Sequence, residues 1–138
     1  MEYATFPLRN CAQTQGTNGA YSHQGTKAID YGPLNNDQTV YAPFTGTIVF
    51  LGTYNTGNQI VIQSSEPVQK ADGTTGYLSV MTAHDNDIST LSIGQTITQN
   101  TPYSKMGTAG YATGTHTHVE VIMDHGKESF KIVKEIGC

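Results

Sequence analysis

The chain has 138 residues, of which 36% are apolar and 13% charged, with a formal net charge of −4 at neutral pH. That length favours one domain able to bury its own core without cross-links. The acidic balance leaves no basic stripe for a phosphate backbone, so nucleic acid is not an expected partner; no run of about 18 apolar residues suggests a membrane span either.

Fifteen glycines, eight tyrosines and frequent threonine favour short strands joined by turns, so a mostly-β protein is expected. The opening Met1-Glu-Tyr-Ala-Thr5 lacks the basic and apolar regions of a secretion signal. Residues 1–20 are polar and aperiodic, and read as a lead-in over the surface. Cys11 and Cys138 have no zinc-type spacing to each other or to a histidine. They are either two unrelated thiols or, should the termini meet, a disulfide worth about 4–5 kcal/mol by loop-closure entropy.

In Tyr21-Ser-His23-Gln-Gly25-Thr-Lys-Ala-Ile-Asp30 a glycine turn can bring His23 and Asp30 to one point; alone, the pair reads equally as two surface residues. Residues 33–37 form a turn and Thr39 to Ala42 a short strand. Gly46 to Gly52 and Asn58 to Gln63 form a hairpin. Glu66 to Thr75, with Pro67 and Asp72-Gly73, reads as an exposed loop. The strand Gly76 to His84 places Leu78, Val80, Thr82 and His84 on one face. Asp85-Asn-Asp87 is a turn, Ile88 to Ile93 a connection, and Gly94 to Gln99 another short strand. Lys105 to Gly114 is a glycine-rich approach to the most distinctive run, Gly114-Thr-His116-Thr-His118-Val-Glu120-Val-Ile-Met123. The charged tail, 124–138, reads as an edge strand or a short helix.

In a strand, residues two apart share a face about 6.5–7 Å apart. His116 and His118 are thus too far apart to bond directly, yet well spaced to reach into one cavity, one on a metal and one beside it. The other reading is a pair of histidines on a solvated face. A catalytic zinc takes three protein ligands and leaves a fourth place for water. Two histidines and a carboxylate form such a set, and the chain has no His-Glu-x-x-His helix to supply another.

The order of these motifs resembles the lysostaphin and LytM family of zinc endopeptidases, which cut peptide bonds in bacterial peptidoglycan. The resemblance spans about residues 21–123. It rests on His23 with Asp30, Ala42-Pro43-Phe-Thr-Gly46-Thr-Ile-Val49, Thr82-Ala-His84, and Gly110-Tyr-Ala-Thr113-Gly114-Thr-His116-Thr-His118-Val-Glu120. It implies a two-layer antiparallel β-sheet core of duplicated-hybrid-motif type, with long loops forming a substrate groove. By this resemblance His23, Asp30 and His118 are the zinc ligands, and His84 and His116 are unbound catalytic histidines. Zinc would act as a Lewis acid and acidify its water to a pKa near 7; one histidine would move protons and the other steady the oxyanion. Glu120, on the face of His118, could support the site from behind or line the core, and His125 reads as a solvent-facing loop residue.

Two departures stand out. Six residues separate His23 from Asp30, where three are commoner in the family. That wider gap resembles bacteriophage members, tail-associated lysins and endolysins, and Asp30 is preferred to Asp37. Thr82 occupies a position where the family often has tyrosine. The resemblance implies a peptidoglycan peptide as partner, action at the bacterial cell wall from outside the cell or from a virion, and a monomeric domain, 1–138, of a larger lysin or tail protein, with no membrane or nucleic acid involved. Residues 31–38, 53–57, 64–76 and 103–113 are the expected groove walls, with Tyr54, Tyr103 and Tyr111 able to meet the peptide. Two rivals remain: a noncatalytic module of the same fold, which should lack one of the five residues, and a cupin-like metal oxidoreductase, whose His-x-His comes before its other ligands rather than last.

Overall fold

β-branched residues alternating with polar ones are built to pair as strands, and the computed structural model contains twelve strands and no helix among the residues it describes: 1–9, 11–15, 29–34, 37–54, 57–70, 73–108, 115, 117–123 and 126–127. The strands are β1 (Cys11–Gln15), β2 (Ile29–Pro33), β3 (Thr39–Tyr41), β4 (Gly46–Tyr54), β5 (Gly57–Ser64), β6 (Val68–Gln69), β7 (Thr75–Gly76), β8 (Ser79–Ala83), β9 (Thr96–Ile97), β10 (Pro102–Lys105), β11 (Thr117–Met123) and β12 (Gly126–Lys127). The main antiparallel sheet runs β1-β2-β11-β8-β5-β4-β9, with β12 also on β11; β10 pairs with β3, and β6 with β7. The expected mostly-β, antiparallel architecture is what the chain adopts.

One face of the main sheet makes the core. Ile48 pairs with Ile62 and Ile62 with Val80; Ile60 pairs with Thr82 and Thr82 with Val119. All six are buried. Leu8, Val40, Ala42, Phe44 and Met106 close over them as the second layer. Each such aliphatic side chain gains roughly 1.5–3 kcal/mol from burial.

A β-bulge interrupts the β4–β5 ladder between Ile48 and Phe50. Because of the extra residue, Val49 and Phe50 both stay exposed, at 43% and 37%, while Leu51 returns to the core side opposite Ile60. Bulges re-aim side chains in this way.

The expected surface lead-in is corrected for its first part. Ala4, Phe6 and Leu8 are fully buried core residues, alternating as a strand would. Ala4 N–H donates to the Gln69 carbonyl at 2.9 Å and Tyr41 N–H to Pro7 at 2.7 Å, and the Glu2 carboxylate accepts from Thr45 N–H at 2.7 Å and from its hydroxyl at 2.5 Å. Later in the same segment, Cys11–Gln15 forms the sheet edge. The Glu66–Thr75 loop is corrected with it: Val68 and Lys70 are buried, and β6 and β7 form a small hairpin against residues 2–4. Cys138 and the tail beyond Lys127 lie outside the described residues.

Candidate active site

The motif-bearing strands come together at the middle of the main sheet. β11 lies between β2 and β8, and the backbone register pairs Asp30 with His118, His118 with Ala83, Ala83 with Gln59, and Gln59 with Gly52. The next row, Val119, Thr82 and Ile60, is buried in the core. By strand alternation the Asp30–His118–Ala83 row therefore occupies the opposite sheet face. Glu120 pairs with Met81 in the backbone register. His23, His116 and His125 lie outside the described residues. Asp37 is not in the sheet; its carboxylate accepts the Thr39 N–H at 3.2 Å within its own turn.

His84 follows Ala83 directly, and here the structure departs from simple alternation. β8 ends at Ala83, and His84 is buried with φ at 84°. A left-handed φ at a residue with a Cβ costs roughly 1–2 kcal/mol, and such outliers persist only where the surroundings hold them. The surroundings here are specific. His84 N–H donates to the Asn58 carbonyl at 2.9 Å; the buried Asn58 amide donates to the Asp85 carbonyl at 2.6 Å. The Asp85 carboxylate accepts from Ser104 Oγ at 2.6 Å, Lys105 N–H at 2.8 Å and Asp87 N–H at 2.9 Å. Asn86 Oδ1 accepts both the N–H and the hydroxyl of Thr108, at 3.0 and 3.2 Å. Gly107 packs so tightly that a Cβ there would overlap the His84 carbonyl oxygen and lie 2.8 Å from Asn86 N.

In sequence Asp85-Asn-Asp87 is a turn and Asn58 the start of a strand; that together they clamp His84 emerges only in the fold. The available signal was three Asx residues directly after a histidine, since such side chains bond nearby backbone. Exposed Asp87 has its carboxyl held below the usual range by the Ser89 hydroxyl and N–H.

Several expected groove walls are corrected. The 64–76 segment leaves the sheet at Ser64 and returns before Ser79, four residues and about 14 Å along β8 from Ala83, so it stands at the end remote from the Asp30–His118 pair. Tyr103 lies in β10 rather than in a loop, with its hydroxyl buried. Burial pushes that phenol up to about 12, partly countered by the nearby Thr82 hydroxyl and reinforced by the Asp85 carboxylate. Neither Thr82 Oγ1 nor Tyr103 Oη has a hydrogen-bond partner among the described residues. A cleft of about 910 Å³ opens between the 85–91 loop and β9–β10, with Ile97, Tyr103 and Met106 in its lining; Ile97 and Met106 belong to the core side, so it is not on the face of the Asp30–His118 row. Of the expected 53–57 wall, Thr53 and Tyr54 end β4 and Gly57 begins β5, next to Gly52 and Gln59, and residues 55–56 lie outside the described residues.

Among the described residues, no three His, Cys, Asp or Glu side chains gather closely enough to hold a metal ion. Two of the three expected ligand positions, Asp30 and His118, are directly paired; the third, His23, is not described.

Comparison with known proteins bears on the fold and the family. Morphogenesis protein 1 of Bacillus phage B103 is 32% identical over 122 residues, 88% of this chain and 33% of that protein; the chain thus spans about a third of that relative's length. A zinc containing peptidase from Vibrio cholerae shares the fold with a TM-score of 0.71 at 18% identity, over 99% of this chain and 41% of that one. The antimicrobial peptidase lysostaphin from Staphylococcus simulans does so with a TM-score of 0.64 at 20% identity, over 94% and 51%. The profile of peptidase family M23 matches residues 22–129, a span that holds β2, β8 and β11 with all five histidines and Asp30, and the chain belongs to that family.

Proposed function

We propose that this chain is a zinc-dependent endopeptidase domain that hydrolyses peptide bonds in the stem or cross-bridge peptides of bacterial peptidoglycan. The observation that supports this most is the direct pairing of Asp30 with His118, off the core face, one strand from the clamped His84. Opposed positions in an antiparallel pair hold their Cβ atoms about 4.5–5.5 Å apart, a span that one ion with donors near 2 Å can bridge. His23, Asp30 and His118 are the residues that would hold it, and two imidazoles with one carboxylate suit zinc.

When bound, the zinc supplies a Lewis acid and an acidified water. Asp30 offsets one unit of its charge. His84 and His116 act on protons: an imidazole titrates near neutrality, so one accepts the proton released as water adds to the peptide carbon and returns it to the leaving amine nitrogen. The other donates a hydrogen bond to the oxygen that becomes negative. The clamp around His84 keeps its backbone in place through that exchange. The phage relative supports a virion-borne domain working at the cell wall.

Two measurements test this together. Metal content of His118→Ala should fall to background, whereas His84→Ala should keep zinc and lose turnover by at least about a hundredfold. Wild-type protein incubated with cell walls of several chemotypes should release new amino termini, and chelation should stop it. Full metal loss in His84→Ala, or intact walls under zinc-replete protein, would overturn the assignment.

A further inference from the structure

Hydrogen bonding and charge single out the outer side of β4, which no role above uses. Ile48 N–H donates to the Gln95 carbonyl at 2.9 Å, and the Ile48 carbonyl accepts from Gly94 N–H at 2.8 Å, so residues 94–97 cover the edge of β4 as far as Ile48. Beyond that point no described strand lies on this side. Backbone groups along an antiparallel strand turn alternately toward one neighbour and the other. Val49 and Phe50 count as one position at the bulge, so the N–H and C=O of Leu51 and Thr53 point outward as those of Ile48 do. Val49 and the nearby Ile93 are exposed beside this open edge, Ile93 at 64%. The edge is also neutral. No charged residue and no histidine falls within 38–65, which holds β4 and β5, or within 88–104, which holds β9. Natural edges are commonly guarded by a charge, lysine above all, or by a proline; Gly46–Tyr54 has neither.

We infer that two copies of the chain pair through this edge, β4 against β4 in antiparallel register about a two-fold axis at Gly52, in place of the monomer that the family resemblance implies. Leu51 and Thr53 stand on either side of Gly52, so one axis sets Leu51 opposite the partner's Thr53 and Thr53 opposite the partner's Leu51. Each such pair exchanges both N–H···O bonds of an antiparallel ladder. The edge is thus complementary to itself, as an isologous contact requires. Charge favours the same occupant: two copies of net charge −4 repel each other, and do so least where both present neutral surface. Residues 94–97 stop the shared ladder at Ile48, so the contact is short, with Val49 and Ile93 of each copy at its ends. The axis is perpendicular to the sheet. The two main sheets therefore join into one, with both Asp30–His118 pairs on the same side of it. The pairing does not depend on the peptidase reading.

Sedimentation velocity on the full chain tests the pairing, and amide hydrogen exchange locates it. Wild-type protein should pass from monomer to dimer between about 1 µM and about 1 mM, the range of small interfaces. The Leu51 and Thr53 amides should exchange about tenfold more slowly at the dimeric end. Added salt should leave the dimer as strong or strengthen it, since the contact holds no ion pair and screening weakens the repulsion between copies. Thr53→Pro removes one outward N–H at an edge, where proline is tolerated, and should weaken dimerisation at least about tenfold. Val49→Lys brings a charge into the neutral contact from an exposed position and should do the same, which keeps the test decisive if Thr53→Pro folds poorly. A monomer at every concentration overturns the pairing and leaves the edge to some other strand. So does a dimer that both folded variants leave intact, that salt dissolves, or that leaves exchange at Leu51 and Thr53 unchanged.

Discussion

Replacing Gly107 with alanine is the sharpest probe of how His84 is held. The new methyl would overlap the His84 carbonyl oxygen and sit 2.8 Å from Asn86 N and 3.1 Å from Asn86 Cγ. Two of these three neighbours are main-chain atoms, so the strain cannot be relieved by swinging a flexible side chain aside. Either residues 104–108 retreat, stretching the bonds from Lys105 and Thr108 to Asp85 and Asn86, or the 84–86 backbone does. Overpacking of this kind costs about 1–3 kcal/mol and each weakened hydrogen bond about 0.5–1.5 kcal/mol, for a total near 2–4 kcal/mol. With an unfolding entropy of about 2.1 cal/mol/K per residue, that lowers Tm by roughly 7–14 °C. Turnover measured well below the melting range should fall about tenfold or more, because His84 is displaced while the chain stays folded. Gly73→Ala is the control: its φ of +88° is strained for alanine, but nothing lies within 4 Å, so it should cost about 1 kcal/mol and leave turnover alone. Calorimetry and a wall-digestion assay on both variants decide the matter. A Gly107→Ala protein that melts and digests like Gly73→Ala would refute the clamp.

Leu8→Ala should destabilise the protein by about 2–5 kcal/mol, since Leu8 is fully buried in the core cluster; a urea midpoint within error of wild type would return residues 1–9 to a surface role. Tyr103→Phe removes an unpartnered buried hydroxyl and should be neutral or stabilising by about 1 kcal/mol at pH 7. Its larger effect is alkaline. The folded phenol titrates at about 12 against about 10 in the unfolded chain, so its neutral form is favoured by folding, and stability intact below pH 10 is lost as pH rises towards 12, by about 2–3 kcal/mol. Urea melts at pH 7 and 11 should show a shallower alkaline loss in Tyr103→Phe than in wild type; equal losses would contradict the burial of that hydroxyl.

Local pattern was enough for the elements that alternate cleanly and end at glycine or Asx turns: the β4–β5 hairpin, the Leu78–Val80–Thr82 face and the β11 strand all stand where their residues suggested. It failed where an element gains its identity from a distant partner. Ala4, Phe6 and Leu8 alternate for only three apolar steps, interrupted by Pro7, and become core because Gln69, Pro43 and Val40 hold the backbone of Ala4, Thr5 and Leu8 in place. Val68 is buried for the same reason, within a stretch whose proline and Asp-Gly read as an open loop. Nor does any spacing announce that Asp30 and His118 will be paired; motif order suggested their association, and β11 passing between β2 and β8 accounts for it. The left-handed turn at His84 has no sequence mark of its own, since it is imposed by Asn58 and Gly107 from two other segments.

The central position of β11 also dictates when the molecule can begin to work. Its two neighbours, β2 and β8, are synthesised well before it, and Asp30 must wait for a partner about ninety residues further along, a closure whose entropy is met only late in folding. Until residue 117 has emerged, a nascent chain has a gap in the middle of its sheet with two raw edges, each open to stray pairing. Activity and protection from aggregation should therefore arrive together, with the insertion of one seven-residue strand.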